Sequence, residues 1–341
     1  MMAVNTANAL SDNGLESHLC ATRQEGSLKA KIGKEVGYLF LNKKSTLDVK
    51  ALRKLVRYLK SNEISIIHAH ATSYFTAFLV KLVLPETTII WHDHYGNSEN
   101  LKERKKFPLT LVSKTFKSVI SVNNHLLLWA KQNLQAKHCQ YLPNFAVFDQ
   151  ENLAITQLHG ENEKRIVCLA NLRPQKDHLN LLKAFKIVRD KHTDWTLHLV
   201  GMDFKDVYAE EIIATIKQHH LISCVFLYGS CPDTQHILKQ ATIGVLSSKS
   251  EGLPLSLLEY GLAKLPVAVT DVGECGVVVD NMKSGMLVPP SDENALAEAL
   301  VFLTENENRR KEFGENLYNN LRLNYSAHAF ITQLINIYQL D

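Results

Sequence analysis

Two glutamates stand eight positions apart in the run Glu251-Gly252-Leu253-Pro254-Leu255-Ser256-Leu257-Leu258-Glu259. Gly252 permits a tight turn, and Pro254 suits the first position of a helix, where the N–H it lacks has no partner to lose. The spacing predicts Glu251 in the loop ahead of a helix and Glu259 in its second turn. A helix start offers unpaired N–H groups and partial positive charge, which suit a phosphate. Carboxylates on either side accept hydrogen bonds from hydroxyls, as on a sugar and a ribose. A nucleotide sugar carries all of these groups.

A second set lies upstream. The strand predicted over residues 166–170 runs into Asn171-Leu172-Arg173-Pro174-Gln175-Lys176-Asp177. Arg173 and Lys176 emerge past a strand's carboxyl end, where cations can neutralise a departing diphosphate. Taken alone, the pair reads more readily as solvated loop cations; it is the Glu251–Glu259 run beside it that favours the functional reading. Two strands end in His68-Ala69-His70 and His92-Asp93-His94. Alternation along a strand puts each histidine pair on one face. Such spacing suits zinc, but it lacks an HExxH pattern or a nearby cysteine pair. Hydrogen-bonded polar strand ends are the plainer reading. With no Asp-x-Asp pair to hold a cation on a diphosphate, no metal cofactor is expected.

The elements that must position these groups alternate. In the first half, strands are predicted at 19–22, 64–69, 87–91, 118–122 and 139–142. Helices are predicted at 3–10, 47–60, 74–84 and 125–131. After a polar stretch at 146–163 the rhythm resumes. Strands at 165–170, 196–200, 225–227, 244–246, 266–269 and 285–288 alternate with helices at 178–189, 207–219, 254–263, 295–303, 309–323 and 326–340. Continuous Val/Ile-rich strands separated by helices predict an α/β fold with parallel sheets covered on both faces. Ligands of such units sit at the carboxyl ends of strands.

The 341 residues, 45% hydrophobic and 21% charged, suffice for two domains. The net charge of +3 gives no global sign of nucleic acid, but it is unevenly spread. Residues 1–150 carry 20 Lys and Arg against 11 Asp and Glu, whereas the remainder carries 18 against 24. The run Lys102-Glu103-Arg104-Lys105-Lys106, with Lys114 and Lys117, reads as a solvated face or as a patch for anionic lipid headgroups. The six cysteines form no close pair and read as reduced thiols. The longest apolar stretch, Tyr74 to Trp91, is broken by Lys81, Pro85 and Glu86 and does not read as a membrane span.

Together these pieces resemble a retaining glycosyltransferase of family 4. The resemblance runs through His92–His94, Tyr141-Leu142-Pro143-Asn144, Ala170–Lys176, Leu199-Val200-Gly201, Tyr228-Gly229, Ser247–Glu259, Pro266–Thr270, Asp271-Val272-Gly273 and Gly285–Pro289. It implies the GT-B fold: two facing Rossmann-like domains with parallel sheets and a cleft between them. Residues 1–150 would form the acceptor-side domain and 151–323 the nucleotide-sugar domain. The helix at 324–341 would pack back on the first. The resemblance further implies a strand and a glycine-rich loop, about 15–20 residues, ahead of the first helix. Their lack would leave the first sheet without its central strand.

The implied roles follow position by position. Glu251 contacts hydroxyls of the donor sugar and Glu259 binds the ribose. Gly252, Leu253 and Pro254 bring backbone N–H groups near the diphosphate, and Lys176 binds phosphate. The family's arginine has its counterpart at Asn171, so Arg173 would supply the charge. His92 orients sugar hydroxyls. The implied activity is sugar transfer from a nucleotide-diphosphate donor, a UDP-sugar by family frequency, to a saccharide or lipid-linked acceptor. It would serve bacterial surface polysaccharide or glycolipid synthesis, in the cytoplasm and peripherally at the inner membrane. Two other functions fit the same architecture: a nucleotide-sugar epimerase and a non-catalytic scaffold.

Overall fold

The structure is a computed structural model, which describes residues 1–147 and 154–339. The chain divides into two compact units, Met1–Phe145 with Ala327–Asp341, and Ala146–Ser326. The boundary expected between residues 150 and 151 lies outside the described residues. The later boundary falls at Ser326/Ala327 rather than 323/324, because the preceding helix runs unbroken to Asn324.

The first unit runs α1 (Met2–Asp12), β1 (His18–Ala21), β2 (Gly37–Phe40), α2 (Val49–Ser61), β3 (Ile66–His70), α3 (Tyr74–Val83), β4 (Thr88–Asp93), α4 (Leu109–Val112), β5 (Phe116–Ser121), α5 (Asn124–Asn133) and β6 (His138–Tyr141). The second runs β7 (Arg165–Leu169), α6 (His178–Lys191), β8 (Thr196–Val200), α7 (Val207–Gln218), β9 (Val225–Gly229), α8 (Thr234–Gln240), β10 (Ile243–Leu246), α9 (Leu255–Leu262), β11 (Val267–Thr270), α10 (Cys275–Val278), β12 (Met286–Val288), α11 (Glu293–Glu305) and α12 (Glu307–Asn324). The last helix, α13 (Ala327–Gln339), returns to the first unit and packs on α1.

Helix starts follow side-chain caps. Asp48 accepts from Ala51 N at 3.0 Å, so α2 begins at Val49 rather than at Leu47. Asn123, Asp206 and Asp292 do the same for α5, α7 and α11. In the first unit the strands fall into two parallel sheets, β1-β2 and β3-β4-β5-β6. Strand β2 had no counterpart in the sequence reading; its Gly-Tyr-Leu-Phe is too short to show a period.

One charged residue is misplaced by the sequence reading. Arg104 is no surface cation of the basic run: it is 9% exposed and gives two hydrogen bonds, of 2.6 and 2.9 Å, to Asp93. Its guanidinium lies 4.1 Å from the Trp129 ring centroid. The lipid-facing reading of that run therefore loses its central charge. No described helix is long and apolar enough to cross a membrane. All six cysteines are free.

The second unit's sheet is wholly parallel, in the order β12-β11-β10-β7-β8-β9. The chain direction across the sheet reverses between β10 and β7, the kind of point where the strand ends leave a crevice. Here β7 and β10 pair only at Ile166–Ile243 and Val167–Gly244. Beyond them the buried Tyr260 hydroxyl accepts from Leu169 N at 2.6 Å and lies 3.2 Å from Val245 O. A helix side chain thus takes over the bonds that the two diverging strands do not make with each other. Tyr260→Phe should leave Leu169 N buried and unpaired, lowering unfolding stability by about 1–3 kcal/mol. Urea denaturation measures it, and an unchanged midpoint would remove the hydroxyl from the fold's support.

Candidate functional site

Two loops leave the carboxyl ends of β7 and β10, and they are stitched together. Lys249 N donates to Gln175 O at 2.8 Å, Gln175 Nε2 to Ser250 O at 2.7 Å, and Ser247 Oγ to Lys176 O at 2.9 Å. Stitching of this kind holds side chains to a narrow range of positions. Lys176 Nζ comes to 2.5 Å from Glu251 Oε1, and Ser248 Oγ donates to the same oxygen at 2.6 Å. Glu251 is nearly buried, its side chain 6% exposed, and that of Lys176 is 21% exposed. A buried carboxylate must be matched by charge and hydrogen bonds. Lys176 and Ser248 do this, so the ammonium and carboxylate face the same spot.

The corner after Glu251 depends on Gly273, which has φ +57°. A Cβ there would stand 2.3 Å from Glu251 O and 2.5 Å from Gly252 O. Glu274 N in turn donates to Gly252 O at 2.9 Å. Gly252, Leu253 and Pro254 are all buried in this corner. Pro254 has ψ 124° and caps the helix, so α9 starts at Leu255, one residue later than expected. Glu259 lies half-buried in its second turn, next to the Tyr260 that anchors α9 to the sheet.

Arg173 is exposed, with its guanidinium 4.7 Å from the Phe204 ring centroid. The neighbouring Asn171 accepts from Met202 N through Oδ1 at 2.9 Å, tying down the loop. Thus Lys176, Glu251 and the residues 252–254 meet in one place within the second unit, with Glu259 on the helix they lead into. Sequence reasoning passed over Ser248 and Gly273 as partners. Only Gly273 carried a signal, as a glycine shortly after a buried Val-Ala-Val-Thr strand.

His92 belongs to the first unit. It is fully buried, and four histidines gather at the ends of β3 and β4. His68 Nε2 lies 3.2 Å from His92 Nδ1, and His70 Nδ1 lies 2.9 Å from His94 Nε2. Tyr338 of α13 bonds His68 Nδ1 at 2.8 Å. His92 Nε2 is buried with no partner among the described residues. Ring nitrogens of His68, His70 and His92 lie within 4.8 Å of one another and are the group there able to take a metal.

Burial, aided by neighbouring imidazoles, pushes His68, His92 and His94 well below the usual histidine range. His70 is lowered to about 4 by the same burial and by the Met1 amino group. The unfolded chain therefore binds more protons than the folded one below the ordinary histidine pKa of ~6.5, and stability falls with falling pH. The first unit should lose on the order of 5 °C in melting temperature between pH 7 and pH 5. A flat melting temperature across that window would mean that these imidazoles stay accessible to protons in the fold.

Comparison with known proteins adds the relatives. Residues 149–320 match the family described as Glycosyl transferases group 1, and residues 1–146 match Glycosyltransferase Family 4. The chain is 23% identical over 250 residues to a Staphylococcus aureus poly(ribitol-phosphate) alpha-N-acetylglucosaminyltransferase, covering 72% of this chain and 48% of that protein. It is 24% identical over 179 residues to the lipopolysaccharide core biosynthesis mannosyltransferase LpcC of Rhizobium leguminosarum bv. viciae, covering 52% of this chain and 50% of the relative. The chain thus spans about half the length of these two relatives. Among solved structures, a mutant of S. aureus TarM, in complex with Fondaparinux, alpha-GlcNAc-glycerol and UDP, superposes with a TM-score of 0.82 at 15% identity. That match covers 99% of this chain and 96% of the other. Likeness at that identity carries the fold, and the fold is GT-B.

Proposed function

This chain belongs to the group 1 glycosyl transferases, with a family 4 glycosyltransferase segment ahead of that domain, and from that premise we propose that it transfers a sugar, with retained configuration, from a nucleoside-diphosphate donor to an acceptor hydroxyl. The observation that carries the proposal is the Lys176–Glu251 pair at the strand ends where the second sheet reverses direction. It sets a cation for a diphosphate beside a carboxylate for sugar hydroxyls, at the turn into α9.

Hydrolases that retain configuration use one carboxylate as a nucleophile across the bond from an acid. Glu251 is instead bound to Lys176 and Ser248, which suits it to hold hydroxyls. In the proposed reaction the acceptor oxygen attacks the face the diphosphate leaves, and a diphosphate oxygen takes the acceptor's proton. Lys176 and the backbone N–H groups of Gly252 and Leu253 stabilise the growing charge, with the exposed Arg173 in reserve; no metal is assigned to that step. Glu259 holds the ribose; His92, expected to orient sugar hydroxyls, is fully buried in the first unit and is assigned no contact with the sugar.

UDP as the nucleotide is supported by its presence with the structural neighbour. A bacterial surface saccharide as the acceptor is supported by the relatives' named products. The work would be done in the cytoplasm, with peripheral membrane contact when the acceptor is lipid-linked. Glu259→Ala should weaken UDP binding about tenfold or more, the worth of a hydrogen bond to a charged group, as read by calorimetry. Unchanged affinity would remove the ribose role. Nucleotide release from UDP-sugars should require an acceptor. An epimer formed from donor alone would replace transfer by epimerisation, and the absence of any nucleotide binding would leave a scaffold.

A further inference from the structure

Four imidazoles share one face of the sheet where β3 and β4 end. Alternation along each strand puts His68 with His70 and His92 with His94. The parallel register then sets His70 opposite His92, so the two sequence pairs become one group. Their outward contacts are already made. His68 Nδ1 meets the Tyr338 hydroxyl at 2.8 Å, and His70 Nδ1 meets His94 Nε2 at 2.9 Å. That leaves Nε2 of both His68 and His70 on the inner side. A histidine that binds a metal commonly holds its other ring nitrogen to a partner in this way.

Two further observations point to a ligand. A neutral imidazole has one N–H and one lone pair. Whichever tautomer His92 adopts, its buried Nε2 meets neither a donor nor an acceptor among the described residues. A cation gives that ring the partner the protein does not supply. The spacing also fits. His68 Nε2 and His92 Nδ1 are 3.2 Å apart, and two nitrogens on one tetrahedral zinc, each about 2.0–2.1 Å from it, stand about 3.3 Å apart. The rings of His68 and His70 lie stacked, with centroids 4.5 Å apart and planes 16° apart. Binding needs them to turn about χ2 so that their lone pairs converge, and that torsion is a soft one. His68 and His70 are half-buried, which gives an ion a way in.

We propose that His68, His70 and His92 bind one divalent ion of the zinc class, with solvent in the fourth position. Three imidazoles suit zinc and its neighbours, whereas magnesium and calcium call for oxygen ligands. The ion takes the place of the proton shared by His68 and His92. Through Tyr338 it fastens the ends of β3 and β4 to α13. The site lies within the first unit and takes no part in sugar transfer, so either proposal can fail without the other.

Cobalt(II) and zinc(II) test it. The untagged 341-residue chain, stripped with a chelator, should take up one equivalent of cobalt(II) with the intense visible absorption of a tetrahedral ion. An equivalent of zinc(II) should remove that absorption, as the order of metal affinities requires. Zinc(II) at about 100 times its dissociation constant should raise the melting temperature by about 4 °C. These readings come from the parent chain and do not depend on a variant folding. His68→Gln and His70→Gln should each weaken cobalt uptake at least 100-fold, and Tyr338→Phe about tenfold. Replacing His219 and His220, an adjacent pair in the second unit, by glutamine should change nothing. Three results overturn the proposal: no tetrahedral absorption in the parent, uptake that survives both His68→Gln and His70→Gln, or uptake that disappears with His219 and His220.

Discussion

Lys176→Ala should slow nucleotide release by about 100- to 1,000-fold at saturating donor, the effect of losing one charged contact to a developing anion in a closed site. The change has a second cost. Glu251, with its side chain 6% exposed, would lose the cation beside it, and breaking a buried ion pair by removing one partner costs about 3–5 kcal/mol. The two effects can be separated. Lys176→Ala combined with Glu251→Gln replaces the carboxylate by an amide that needs no cation, so stability should return toward that of the parent. Turnover should not return. Recovery of both in the double variant would show that Lys176 serves the fold and not the reaction.

Gly273→Ala should be as severe by another route. The new methyl would sit 2.3 Å from Glu251 O at a backbone φ of +57°. That distance is far inside van der Waals contact, and the left-handed conformation adds its own strain. A loss of about 2–4 kcal/mol is expected, together with at least tenfold weaker UDP binding, because the corner carrying residues 251–254 must move. Urea unfolding and calorimetry read the two parts. Normal UDP affinity in a destabilised variant would separate this corner from the donor site.

What the sequence made legible follows from the range of the interactions. Strands such as Arg165–Leu169 and Thr196–Val200 are buried on every residue, and their mostly apolar residues, Ile166–Leu169 in one and Leu197, Leu199 and Val200 in the other, marked them almost to the residue. Helix α6 was predicted to stop at Arg189 but continues to Lys191; no glycine or proline stands there to end it. Strand β2 escaped because four residues between polar loops carry no period. Arg104 misled because its partner Asp93 is on another element, and a charge run looks solvated when its partners are unknown. The same holds at the site. Lys176 and Glu251 announced themselves by residue type and by position at a strand end and a helix start. Ser248 and Gly273 act through contacts at a loop corner, which only the folded backbone defines.

Gly244 and Tyr260 are joined in a way that constrains how this protein can change. A Cβ at position 244 would meet the Tyr260 ring at 2.7 Å, and that ring carries the hydroxyl bridging the parted strands. Enlarging position 244 therefore evicts the bridge, while shrinking position 260 leaves a hole over bare backbone. Neither site can drift alone, so any viable descendant should exchange the two together, trading bulk on the helix for bulk on the strand.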